Sequence, residues 1–164
     1  MLNRKRLKFI VLLLGVVLLS FFLYNYRYGD TTIPEIAQES YQYSTIDSLT
    51  AGFLYVIEGD QQFRINLIED EAKKIIEALR DAVVQGTDET YSPKRSETQY
   101  LISLEDPKMK TEHISFSIYH DPTQNEAILF PFIVTRFKPE QYIAKTDYLY
   151  RTITSIVTER ASSN

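Results

Sequence analysis

Histidine, carboxylate and tyrosine are the side chains here that could do chemistry, and their spacing limits what they can do. The two histidines, His113 and His120, stand seven apart. On a continuous strand an odd interval sends them to opposite faces, so a shared metal would need a bulge between them. Asp121-x-Thr123-x-Asn125 has the opening ligand spacing of a calcium loop. It lacks the glycine at the sixth position (Glu126) and the bidentate glutamate at the twelfth (Phe132), so it reads as a turn. No G-x-S-x-G elbow occurs for a serine hydrolase, and none of the five glycines form G-x-G for a phosphate loop. Cysteine is absent, which removes disulfides, thiolate metal sites, a cysteine nucleophile and lipidation on cysteine. No metal and no cofactor is expected, and no catalytic residue is assigned. Paired carboxylates for glycoside cleavage could meet only through the fold.

Tyrosine is the compositional departure, twelve in 164 residues. Tyr142, Tyr148 and Tyr150 gather in the closing segment, and such rings suit protein interfaces because they give apolar area and a hydroxyl with few torsions to freeze. Lys94-Arg95 is the adjacent basic pair in the loops of an acidic domain, and loops carry function more often than cores. These five residues are the candidate binding set. The expected function is non-catalytic: an accessory or regulatory module that binds another protein of the cell envelope. The rivals are an envelope hydrolase using carboxylates and a sensor for a small ligand or cation.

The stretch that must place all of this is Phe9 to Tyr24, FIVLLLGVVLLSFFLY, sixteen uncharged residues. As a helix it reaches about 24 Å at roughly 1.5 Å per residue, against a hydrocarbon core of about 30 Å. Leu7, the stem of Lys8 and the interfacial rings of Tyr24 and Tyr26 make up the difference. Arg4, Lys5, Arg6 and Lys8 precede the span and only Arg27 closely follows it. The positive-inside rule then keeps the N-terminus in the cytoplasm and sends the C-terminal domain across. The bulky SFFLYNYRYGD after the apolar core offers no small-residue cleavage site, so the segment is expected to stay as an anchor.

All 22 acidic residues lie at Asp30 or later, with thirteen of the 18 basic ones, so the exported part carries −9 where the whole chain carries −4. That balance and the compartment disfavour nucleic acid. Residues 1–28 are read as basic tip and anchor, 29–41 as a tether, 42–160 as the domain and 161–164 as a disordered tail.

Within the domain, Phe53 to Ile57 and Gln62 to Leu67 flank Glu58-Gly59-Asp60-Gln61 and predict a β-hairpin. Ala72, Ile75, Ile76, Leu79, Ala82 and Val83 form a helical stripe after the acidic start Glu69-Asp70-Glu71, with Gly86 as its C-cap. Strands are expected near 42–46, 99–104, 113–119 and 127–135, the last limited by Pro131. The closing segment carries Tyr142, Thr146, Leu149, Ile153, Ile156 and Val157 at helical spacing, against a β-favouring composition, and is read as helix. The fold class is α+β, a mainly antiparallel sheet with two helices on one face in the order β-β-α-β-β-β-α. With its IIEALRDA after a hairpin and its YLISL, HISFSIYHD and YLYRTITSIV segments, the chain resembles the small membrane-anchored extracytoplasmic α+β domains of Gram-positive bacteria. That resemblance implies the compartment and carries no catalytic residues with it.

Overall fold

The computed structural model describes residues 4–36, 46, 48–88, 91, 97–121, 126–131 and 141–162. An apolar helix α1 (Arg4–Tyr28) leads into one open antiparallel sheet. Its strands are β1 (Asp30–Thr32), β2 (Ala51–Glu58), β3 (Gln61–Leu67), β4 (Val83–Thr87), β5 (Gln99–Asp106), β6 (Met109–Asp121), β7 (Glu126–Pro131) and β8 (Gln141–Ala144). They lie in the order β1-β4-β8-β7-β6-β5-β2-β3. Helices α2 (Glu69–Asp81) and α3 (Tyr148–Ser162) cover one face.

The hairpin is built as its pattern requires. Glu58 pairs with Gln61, so the loop is Gly59-Asp60, and Gly59 takes φ 60°, open to glycine at little steric cost. Alternation then sends Leu54 and Val56 to the helix face with Tyr100, Ile102, Leu104, Ile114, Phe116 and Ile118 of β5 and β6. The stripe Ala72, Ile75, Ile76 and Leu79 lies on that surface beside Leu149, Ile153 and Ile156 of α3. Each such large side chain, once buried, contributes about 1.5–3 kcal/mol. The opposite face is partly closed by Tyr91. Its ring sits 5.9 Å from that of Tyr119, and its backbone exchanges hydrogen bonds with the Gln141 amide, 2.9 Å to Oε1 and 3.3 Å from Nε2.

Three strands depart from the expected order. The stripe helix stops at Asp81; Ala82 is extended, and Val83 opens β4, so Gly86 is a strand residue opposite Tyr142 and not a C-cap. The closing segment is not one helix, because Gln141–Ala144 is β8, pairing with β4 and β7. Residues 145–147 then turn, and α3 starts at Tyr148. The β-branched content of α3 costs little, since Thr152, Thr154 and Thr158 hydroxyls return to carbonyls of the preceding turn at 2.8–3.0 Å. Nor is 29–41 free along its described part. Asp30–Thr32 is β1, paired to β4, and Ile33 and Ile36 of a short helical segment at 33–36 are buried in the core. Ala161 and Ser162, assigned to the tail, belong to α3. The expected strand near 42–46 lies outside the described residues except Ile46, which is a buried bend. Pro131 ends β7, past the last residue paired to β8, where its missing N–H costs no ladder bond on that side.

Candidate functional site

Helices α2 and α3 run antiparallel. At one end Arg160 donates from Nε and Nη2 to the Glu71 carboxylate at 2.7 and 2.8 Å, and Glu71 also accepts the Ile68 backbone N–H at 2.9 Å. The Arg160 hydrogen bonds hold the Glu71 carboxyl below the usual carboxylate range, although burial pushes the other way. One residue thus closes the first turn of α2 and ties it to the last turn of α3.

Toward the other end the pair opens into a groove of about 520 Å³ lined by Lys74 and Glu77 of α2 and by Tyr148, Arg151, Thr152 and Ser155 of α3, with Ile156 at its apolar base. Tyr148 is 53 % exposed, a large ring left in water on the groove wall. Arg151 is held by Asp147 at 2.6 Å, one turn earlier. Lys74 and Glu77 have no ion pair among the described residues. The groove therefore offers a cation and an anion without ion-pair partners among the described residues, together with an aromatic ring.

Beneath it, Tyr150 turns inward. Its ring stacks on His120 at 4.7 Å with 20° between planes, and lies 5.4 Å from Tyr100, with which it shares a hydrogen bond. Burial pushes the phenol pKa values of Tyr100 and Tyr150 up, so both stay protonated. β6 runs unbroken from Met109 to Asp121 through both histidine positions. Among the described residues no three His, Asp or Glu side chains are placed to hold a metal.

The candidate residues are thus divided. Tyr148 lies on the groove, Tyr150 is packing beneath it, and Tyr142, 2 % exposed in β8, is core with no surface to give a partner. Its place at helical spacing was fortuitous, since it belongs to the strand before α3. Lys94 and Arg95 lie outside the described residues. Lys74, Glu77, Arg151, Thr152 and Ser155 were not singled out; those of α3 stand at i+3, i+4 and i+7 from Tyr148, a legible polar stripe, whereas the α2 pair is brought in only by tertiary packing.

The residues expected to anchor the chain lie in α1, in which Lys8–Tyr28 is one helix long and apolar enough to span a membrane. Arg4, Lys5 and Arg6 are in its first turns, Lys8 opens the span, and Tyr24 and Tyr26 are exposed near its end. Only Gly29 separates α1 from β1. The joint is tied by Arg27 to Asp88 at 3.4 Å, by the Tyr28 hydroxyl donating to Asp88, and by Lys145 to Asp30 at 2.6 Å. The chain matches no protein-family model, no curated protein and no solved structure.

Proposed function

We propose that this chain is a single-pass membrane protein, N-terminus in the cytoplasm, whose α+β domain sits outside and binds a second membrane protein of the cell envelope as an accessory or regulatory module. The observation that carries the reading is the joint at Gly29: α1 passes into the sheet through one residue, so the domain would be held against the bilayer and not extended from it. A partner reached from there is itself membrane-embedded or membrane-proximal. The groove of Tyr148, Arg151, Lys74 and Glu77 supplies a surface of the right chemistry, an exposed ring among charges that are not locked to one another across it.

The test is photo-crosslinking in intact cells with p-benzoylphenylalanine in place of Tyr148, in the full-length chain. One discrete membrane-protein adduct is expected, lost when Arg151→Glu reverses the charge beside it. Crosslinks to lipid or to nothing, or an adduct indifferent to Arg151→Glu, would refute the groove as the binding surface. Tyr148→Ala should leave thermal stability within about 1 °C, since an exposed ring contributes little to packing.

A further inference from the structure

On the face of the sheet away from α2 and α3, Arg64 lies across the aromatic pair of β2. Its guanidinium carbon is 4.3 Å from the Phe53 ring centroid and 5.8 Å from that of Tyr55, and the two rings meet edge to face at 5.3 Å. Register sets this up, because Tyr55 is the cross-strand partner of Arg64 and Phe53 that of Asn66. Among the described residues Arg64 has neither a carboxylate partner nor a hydrogen bond. In a domain of net −9, where Arg151, Arg160, Lys73 and Lys145 are each paired, an arginine fixed by two rings with its N–H fork unused is prepared for an external anion.

Its neighbours along β3 narrow the choice. Gln62 and Asn66 point to the same face, are exposed, and have no partner among the described residues. The three heads stand about 6.8 Å apart and span about 14 Å, at roughly 3.4 Å per strand residue. Behind them on the same face stand Leu101, opposite Tyr55, and Ser103, Ser115, Ser117 and Gln99, whose hydroxyls and amide are bonded to each other at 3.0 and 3.2 Å. Glu105, the carboxylate that register puts on this face of β5, is two strands and two rows away from Arg64. We propose that the Gln62-Arg64-Asn66 row over Phe53 and Tyr55 is a binding site for a short saccharide of two or three rings bearing one carboxylate. Arg64 would take the carboxylate bidentately, the two amides would take ring hydroxyls, and sugar C–H groups would pack on the ring surface that Arg64 leaves open. The domain's negative field excludes polyanions, so the acid is single. A peptide strand would need recesses for alternate side chains, and this row offers hydrogen-bonding heads over rings instead.

The test uses the full-length chain in lipid nanodiscs, free of glycoside detergent, with ligand-observed saturation-transfer NMR and empty discs as control. The probe is a glucuronosyl-glucose disaccharide, compared with cellobiose and with a glutamate-containing tripeptide. Saturable transfer to the acidic disaccharide is expected, weaker by about tenfold for cellobiose, for the tripeptide and for Arg64→Lys, which keeps the charge but loses the fork. Arg64→Gln, exposed enough to leave the melting curve in place, should abolish it. Equal binding of cellobiose would overturn the carboxylate assignment, and equal binding of the tripeptide the saccharide assignment. No transfer, or transfer unchanged in Arg64→Gln, would remove the site altogether. Neither result bears on the α2–α3 groove.

Discussion

Replacing Glu71 by glutamine keeps the size of the side chain and an oxygen for the Ile68 N–H, but removes the charge that holds Arg160. The Glu71 side chain is only 10 % exposed and that of Arg160 is 38 % exposed, so one charge is nearly dry and the other half-solvated. A fully buried pair broken from one side costs about 3–5 kcal/mol, and an exposed pair under about 1. The intermediate geometry, with two charge-assisted hydrogen bonds lost, places Glu71→Gln at about 2 kcal/mol. For a domain of this size that lowers the melting temperature by about 7 °C. The pH dependence has a definite sign. The folded pKa of Glu71 is lowered from 4.5, so its contribution is complete above that value and is lost as pH falls through it toward the depressed folded value. Thermal melts of the full chain followed by circular dichroism at pH 7 and at pH 3 would measure both. Wild type and Glu71→Gln should differ most at pH 7, and the gap should narrow as pH falls below 4.5. Arg160→Met should be at least as damaging as Glu71→Gln, because it leaves the drier carboxylate unpaired, and the double variant should be less harmful than the sum of the two. A shift under 1 °C at pH 7, or additive single effects, would show that the two helix ends are held by packing alone.

At Gly52 a Cβ would sit 2.1 Å from the Ser103 carbonyl oxygen in the neighbouring strand, at φ 156°, so Gly52→Ala should cost about 3 kcal/mol and lower the melting temperature by about 10 °C. A melt unchanged within 2 °C would mean β2 and β5 can part there without penalty. Exchanging Arg4, Lys5, Arg6 and Lys8 for glutamine should leave a fraction of chains inverted, read by protease accessibility of the domain in sealed vesicles of known sidedness. Undiminished single-sided accessibility would refute the charge-based orientation.

The elements legible in the sequence were those that carry their own period. The hairpin alternates and has Gly59 where a tight turn demands it; α2 has its acidic start and apolar stripe. What the sequence hid was short. β1, β4 and β8 have three, five and four residues, too few for a period to rise above composition, and they are strands only because neighbours pair with them. Tyr142 shows the mechanism: strand, turn and helix happened to keep apolar residues near 3.6 spacing across 141–157, so two elements read as one. One available signal was passed over. Thr32-x-x-Glu35 is a capping box, and both of its bonds form, Thr32 N–H to the Glu35 carboxylate at 2.9 Å and Glu35 N–H to Thr32 Oγ1 at 3.4 Å. It marks the helical segment that makes 33–36 part of the core. The groove was half legible, as the Tyr148 stripe of α3, while its α2 wall depends on which helix packs beside which.

Gly29 ties α1 to the sheet more strictly than adjacency alone. Its N–H bonds the Asn25 carbonyl at 2.8 Å, and a Cβ there would lie 2.4 Å from that same oxygen, so the chain leaves the helix along one fixed path. The azimuth of α1 is thereby locked to the heading of the sheet. A residue inserted in α1 would swing the domain by about 100° about the helix axis, at roughly 3.6 residues per turn, while seven would bring it nearly back into phase. Whichever side of α1 meets a neighbour, the α2–α3 groove faces a bearing set by the same register, and a twist applied to the helix arrives at the sheet as rotation.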